Sequence, residues 1–213
     1  MQKPSTYHNS ILKGTIDLII ALVGIILLSP LILFLSVLIK LTSKGPVFFK
    51  QKRVGKDGKV FTLIKFRTMR LGAEREQRHL QFVNEADGPV FKIFNDPRYT
   101  KFGKILARTG FDELPQLINV LRGEMSLVGP RPLPVYEAKK LSKSQKVREL
   151  VKPGITSSWI VSGAHNLKFR EWMELDRKYV ENASFTEDVS ILFKTVKMVF
   201  SLVLRRIGKV LRE

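Results

Sequence analysis

LIIALVGIILLSPLILFLSVLI, residues Leu18 to Ile39, is a run of 22 residues without a charge. A bilayer-spanning helix needs about 20 apolar residues, so this run places the chain at a membrane. It is longer than the core of a secretory signal, and no small-residue cleavage site follows it before Lys40 and Lys44, so the segment is expected to stay in the mature protein. Ser29-Pro30 falls near its middle, and a proline there removes a backbone donor and crowds the preceding turn, which predicts a kink. Basic residues flank both ends: Lys3 and Lys13 before it, and Lys40, Lys44, Lys50, Lys52 and Arg53 after it. The charge asymmetry that orients a span is therefore weak, and the residues admit both a kinked spanning helix and a re-entrant hairpin.

Working outward, the 213 residues suit one ordinary domain with an appendage. Lys and Arg number 37 against 19 Asp and Glu, a net charge of +18, so the partner is expected to be anionic: nucleic acid, acidic lipid or a phosphorylated substrate. There is no cysteine, which excludes disulfides, thiolate nucleophiles and cysteine-based metal sites. A catalytic nucleophile must then be oxygen or nitrogen.

After the apolar run, Val47–Phe49 and Val60–Ile64 are short apolar stretches separated by Gly55-Lys56-Asp57-Gly58, which predicts a β-hairpin. Arg70 to Asn84 is charged with scattered Leu and Phe and predicts a surface helix, broken off by Asn95-Asp96-Pro97. From Val189 to Leu211, Leu192, Phe193, Val196, Phe200, Val203, Leu204 and Ile207 recur at helical spacing, interleaved with Lys194, Lys197, Arg205, Arg206, Lys209 and Arg212. This is a basic amphipathic helix, either packed on the core with a solvated basic face or docked on anionic lipid. The expected organisation is a membrane-embedded segment over 1–43, a catalytic domain over 44–188 and the amphipathic helix over 189–213. The fold class is mixed α/β and helix-rich.

The chemistry concentrates in RTGFDELPQLINVLRGEMSLVGPRP, Arg108 to Pro132, where Asp112 and Glu113 stand before a Leu-Pro step and an apolar helical pattern. Read alone, Asp112 could be a helix N-cap and Glu113 a first-turn acid. Lys65 and Arg67, alternating with Ile64 and Phe66, could be the solvent face of a strand. His8, His79 and His165 are far apart with no metal-type spacing.

The Asp-Glu dyad, the Leu-Pro-Gln helix and the Gly-Pro-Arg-Pro turn resemble the signature of the monotopic bacterial sugar transferases, the polyprenyl-phosphate phosphoglycosyl transferases. KGPVFFKQKRVGKDGKVFTLIKFRTM (Lys44–Met69), NDPRYTKFGKIL (Asn95–Leu106), PGIT (Pro153–Thr156), WIVSG (Trp159–Gly163) and the Asp188–Phe200 region resemble further blocks of that family, in the same order. The resemblance implies a re-entrant membrane helix broken at Ser29 and Pro30, with both ends and the α/β catalytic domain on the cytoplasmic side of the bacterial inner membrane. It implies that Asp112 attacks the sugar-bearing phosphorus of a UDP-sugar, that UMP leaves, and that the phosphosugar then passes to polyprenyl phosphate. It also implies Mg²⁺ with Glu113 as its protein ligand. Lys65, Arg108 and Arg131 are then the expected phosphate contacts, in a turn stiffened by Pro130 and Pro132. A carboxylate suits the nucleophilic role because it is ionised at neutral pH, with an ordinary value of about 3.9, and needs cations more than a base.

Two positions depart from the pattern: Ala107, where a basic residue often precedes Arg108, and Ala164, where Arg often follows Val-Ser-Gly. Ser157-Ser158 before Trp159 fits one branch of the family more than the other. A membrane-anchored binding protein without turnover is the competing class. Nucleic-acid binding is not expected, since no helix-turn-helix, RRM-like or zinc-finger pattern occurs. The sequence is compatible with a homo-oligomer and does not identify the sugar.

Overall fold

The computed structural model describes residues 3–163 and 167–210, the side chains of 206–210 excepted. Ala164 and His165 therefore lie outside the described residues, as do Leu211 and Arg212; of Arg206, Ile207 and Lys209 only the backbone is described.

The apolar run forms α1, Ile11–Thr42, whose first turn is capped by Ser10 Oγ accepting from the Lys13 amide at 3.2 Å. The helix runs unbroken through Pro30. Pro30 cannot donate to the carbonyl of Ile26 four residues back, and the Ser29 hydroxyl donates to that carbonyl instead, at 2.8 Å. The Ser-Pro step thus carries its own local repair.

One stripe of α1 is buried: Lys13, Asp17 and Ala21 toward its start, Leu35 and Ile39 toward its end. Ile25, Leu28, Leu31 and Ile32 are half-buried along the same side, and the opposite face is largely apolar and exposed, Leu27 71% and Leu33 67%. Helix α1 is long and apolar enough to cross a membrane, and little of it is covered by protein.

The hairpin follows as β1 (Phe48–Val54) and β2 (Val60–Phe66), antiparallel in a register that sets Phe48 opposite Phe66 and Lys50 opposite Ile64. Its loop holds Asp57 at φ 55°, a left-handed conformation that Asp tolerates. The expected surface helix over Arg70–Asn84 is shorter than its sequence suggests: α2 spans only Ala73–Glu76, and Gln77–Val83 is a 3-10 helix. Gln77–Val83 buries no residue, so no packing holds it in regular α geometry. That segment ends at Val83, well before Asn95-Asp96-Pro97, where Asp96 is buried and grips Arg98 at 2.6 Å.

Helix α3 (Lys101–Thr109) ends at Gly110, φ 78°, and leads into a 3-10 turn over Phe111–Gln116 and then α4, Leu117–Leu121. Strands β3 (Ser126–Val128) and β4 (Gly154–Thr156) pair in parallel. Between them lie α5 (Val135–Ala138) and a 3-10 helix over Gln145–Leu150. The chain closes with α6 (Ser158–Val161), α7 (Phe169–Asn182) and α8 (Phe185–Val210). The fold is mixed and helix-rich with two small sheets, as expected.

Among the described residues the core forms three clusters. The first joins Ala21 of α1 to Phe61 and Leu63 of β2, Leu117 and Val120 of α4, Leu127 and Val128 of β3, Tyr179 of α7 and Ile191 of α8. The second gathers Leu133, Ala138, Leu141, Phe169 and Trp172. In the third, Leu35 and Ile39 of α1 meet Phe66 and Leu106. Helix α1 is therefore a spine packed on the domain along its length.

Its start is further tied by buried charge: Lys13 Nζ to Asp188 Oδ2 at 2.6 Å, and the Leu127 amide to Asp17 Oδ1 at 3.1 Å. Its end is tied by Arg67, whose guanidinium donates to Ser43 O and Ser43 Oγ, each at 2.9 Å, and to Lys44 O. Arg67 is thus buried structure, not a solvent-facing strand residue.

Helix α8 packs on the core with one face and leaves a second apolar face exposed. Asp188 and Ile191 are buried and Thr195 bonds Thr156 at 2.7 Å, whereas Val189, Phe193, Val196 and Phe200 face outward, Phe193 71% exposed.

Candidate active site

The 3-10 turn Phe111–Gln116 presents the acidic pair. Gly110 occupies the cap position of this turn with no side chain to cap it, and Asp112 lies one residue inside, so the N-cap reading of Asp112 does not hold. Asp112 is 6% exposed, and its Oδ2 lies 3.8 Å from Lys65 Nζ, which reaches across from β2. Glu113 Oε1 accepts from Arg131 Nη1 at 2.7 Å. The structure thus brings Lys65, Asp112, Glu113 and Arg131 into one cluster from three separated segments of chain.

Two features hold this geometry. Asn119 of α4, fully buried, accepts the Ile64 amide at 3.1 Å and donates to Thr62 O at 2.8 Å and to Glu124 Oε2 at 2.6 Å. Its amide pairs the free edge of β2 as a neighbouring strand would, fixing Lys65 relative to the turn that carries Asp112. The second feature is the backbone around Arg131. The Gly129 amide donates to Thr156 O and the Gly154 amide to Pro130 O, each at 3.0 Å. A Cβ on Gly129 would sit 2.5 Å from Lys152 O, and one on Gly154 would strike the Gly129 backbone. The Gly of the Gly-Pro-Arg-Pro turn and the Gly of Pro-Gly-Ile-Thr are therefore one requirement: two backbones in contact.

Pro132 O accepts from Arg53 Nη1 at 2.9 Å. Arg53 was not among the expected site residues, since the run Lys50-Gln51-Lys52-Arg53 has the look of a solvated strand. Arg108 stands apart: its Nη2 donates to Asn95 Oδ1 at 2.6 Å and its guanidinium lies 5.2 Å from the centre of the Phe94 ring. His8 makes hydrogen-bonding contacts to Tyr179 O and Val180 O.

Burial pushes the Asp112 carboxyl up to about 6; Lys65 opposes the shift, and the neighbouring charge of Glu113 adds to it. Burial lowers the Lys65 ammonium and Asp112 opposes that. Glu113 raises Arg131, and Arg53 is lowered to about 10 by burial and then by the like charge of Arg131. Cations crowding around two adjacent acids leave the site poised for a ligand bearing negative charge.

A scan against family models matches the bacterial sugar transferases over residues 8–202, a span that includes every residue of this cluster. This chain belongs to the bacterial sugar transferase family. Among characterised proteins it is 41% identical over 194 residues to the galactosyl transferase CpsE of Streptococcus agalactiae, covering 91% of this chain and 43% of that protein. It is 38% identical over 206 residues to the undecaprenyl-phosphate galactose phosphotransferase of Salmonella typhimurium, covering 92% and 41%. It is 36% identical over 191 residues to the exopolysaccharide production protein ExoY of Sinorhizobium fredii, covering 88% and 84%. The chain thus spans about two fifths of the length of the first two relatives and most of the third.

As a sugar transferase site the cluster can offer an oxygen nucleophile at Asp112 and an anion-binding fork at Arg131. Adjacent hard oxygen donors at Asp112 and Glu113 also fit Mg²⁺. Among the described residues no group of three or more His, Asp or Glu could hold a metal alone. Such an ion would be completed by substrate phosphates and water, as Mg²⁺ commonly is.

Proposed function

We propose that this protein transfers a sugar-1-phosphate from a UDP-sugar to polyprenyl phosphate, releasing UMP, at the cytoplasmic face of the bacterial inner membrane. The observation that carries this reading is the buried Asp112 carboxylate, 3.8 Å from Lys65 and adjacent to Glu113 held by Arg131.

An Asp112 Oδ atom attacks the sugar-bearing phosphorus, forming an O–P bond as the bond to the bridging oxygen breaks, and UMP departs with the electron pair. A polyprenyl phosphate oxygen then attacks the same phosphorus, restoring the Asp112 carboxylate and yielding the polyprenyl diphosphate sugar. Neither step needs a base, because both nucleophiles are anions. Both steps need positive charge around the phosphate oxygens, which Lys65 and Arg131 supply. Glu113 would hold Mg²⁺, which when bound shields the diphosphate charge. Arg108, half-buried and held by Asn95 beside the Phe94 ring, is the third expected phosphate contact.

The membrane arrangement is supported by helix packing. From Lys13 to Ile39 the buried stripe of α1 follows the domain for about 39 Å at 1.5 Å per residue. A helix held to a charged domain over that length is not free to stand across about 30 Å of hydrocarbon. A shallow or re-entrant placement, with the outward faces of α1 and α8 in lipid and both ends of α1 in the cytoplasm, satisfies the packing and the charge. The basic residues of α8 would then meet anionic lipid.

The test is UMP release from a panel of UDP-sugars by protein in nanodiscs with undecaprenyl phosphate and Mg²⁺, comparing wild type with Asp112→Asn. Turnover with one donor, abolished in the variant, is the expected result. A folded wild type that releases no UMP from any donor overturns it in favour of a binding protein.

A further inference from the structure

The turn Pro130-Arg131-Pro132 exposes three consecutive carbonyls, and each is taken by a donor from a different part of the chain. Pro130 O accepts the Gly154 amide at 3.0 Å, Arg131 O accepts Arg148 Nη2 at 2.6 Å, and Pro132 O accepts Arg53 Nη1 at 2.9 Å. Neither proline has an N–H, so the turn cannot brace itself with local backbone donors at those positions.

Arg148 is the most elaborately supported of the three. It lies on the 3-10 helix Gln145–Leu150, is 6% exposed, and its Nη2 also meets Asp176 Oδ2 of α7 at 2.9 Å. Its guanidinium sits 5.1 Å from the centre of the Trp172 ring, which in turn stacks on Trp159 at 4.2 Å with 18° between planes. A small cavity lined by Pro130, Arg131, Pro132, Leu133, Arg148 and Val151 lies against the turn.

A buried Arg–Asp pair is seldom a source of net stability, because desolvating two charges offsets their attraction, and an apolar pair of similar volume often does as well. The Arg148 Nη1 and Asp176 Oδ2 atoms are buried with no hydrogen-bond partner, so the two side chains meet as an ion pair alone, an added cost. What this pair supplies that an apolar pair cannot is a directed hydrogen bond to Arg131 O. Without it the turn could relax into that cavity, and the Arg131 guanidinium would leave Glu113.

We propose that Arg148, oriented by Asp176 and Trp172, is a positioning residue that holds the Arg131 backbone so that the Arg131 guanidinium faces the phosphate site. The inference rests on the reading of Arg131 as a phosphate-binding residue.

Two readouts test it on the full-length protein in nanodiscs. The first needs no ligand: hydrogen exchange of the Gly129 amide and of the Gly154 and Val54 amides, which donate to Pro130 O and Leu133 O of the turn, and which Arg148→Met should accelerate at least tenfold while the exchange of α1 and α8 stays as in wild type. The second is a double-mutant cycle on UDP affinity by calorimetry. Arg148→Met should weaken UDP at least tenfold when Arg131 is present and less than twofold in an Arg131→Ala background; Arg148→Lys, which keeps a donor, should recover part of the loss. If Arg148→Met does not fold, Asp176→Asn, which keeps the side-chain shape, carries the same cycle with a smaller factor. Unchanged exchange at the turn, or equal loss of UDP affinity with and without Arg131, overturns the proposal. A wild type that binds no UDP fails the nucleotide-sugar reading instead, and the exchange result then decides this inference by itself.

Discussion

Asp112 sits where ionisation is unfavourable enough to push its carboxyl up to about 6, and this has two consequences of opposite use. For catalysis, the nucleophilic form is lost on acidification, so kcat/KM is expected to fall about tenfold per pH unit below about pH 6, with that limb reporting the free enzyme. For stability, the folded state holds its proton to higher pH than the unfolded chain, whose Asp titrates near 3.9. Between about pH 4 and pH 6 the native state therefore binds more protons, and stability falls as pH rises through that window. Melting curves from pH 4 to 7 should show this fall in wild type and lose Asp112's share of it in Asp112→Asn; identical pH profiles would remove Asp112 from the account. The residues of the site were only partly legible in the sequence. Asp112, Glu113, Lys65 and Arg131 stand in motifs that a family resemblance picks out, and the fold gathers those four. Arg53, Arg67 and Arg148 were missed because nothing in a run of basic residues says which one turns inward. That is settled by distant carbonyls at Pro132, Ser43 and Arg131.

At the scale of elements, α4 and β2 are joined through one side chain. Asn119→Ala would leave the Ile64 amide and the Thr62 carbonyl without their partner inside the core. At roughly 1–3 kcal/mol for each of the two unsatisfied buried groups, the expected loss is about 2–6 kcal/mol, read as a lower denaturation midpoint. Turnover should fall too, since β2 carries Lys65. A change below about 0.5 kcal/mol would mean water replaces the amide. Within α1, the Ser29 hydroxyl serves the Ile26 carbonyl only because Pro30 cannot. Ser29→Ala alone should therefore cost about 1 kcal/mol, and next to nothing in a Pro30→Ala background, where the restored backbone donor takes over. Equal costs in both backgrounds would show that the hydroxyl acts elsewhere. Elements were legible where pattern and packing agree: the hairpin from its apolar runs and Gly-rich loop, α1 from its composition, α8 from its 3.6-residue period. The Arg70–Asn84 segment was read as one helix because polar sequence with scattered apolar residues does not reveal that no surface awaits them. The sequence also could not apportion the apolar residues of α8 between core and exterior, because Ile191 and Phe193 are chemically alike and only the packing of the other elements around α8 separates them.

For the whole molecule, the open question is how a domain fastened along α1 meets a bilayer. Near its start α1 is held by Lys13 on Asp188, and near its end by Leu35 and Ile39 against Phe66 and Leu106, so both ends must lie wherever the domain lies. In the proposed arrangement the outward apolar faces of α1 and α8, which belong to the same body, enter lipid together. A transverse span would separate Lys3 from Lys44 by the full membrane; a shallow or re-entrant helix leaves both in the cytoplasm. The chain has no cysteine, so single Lys3→Cys and Lys44→Cys variants each carry one thiol and no background. Both positions are exposed, and Lys44 engages Arg67 through its carbonyl, which the substitution keeps. A membrane-impermeant maleimide is expected to label both variants in inverted vesicles and neither in intact spheroplasts. Labelling of one site from each side would establish a span. In that case the contacts at one end of α1 would have to be broken in the membrane, and activity would no longer depend on the Lys13–Asp188 pair.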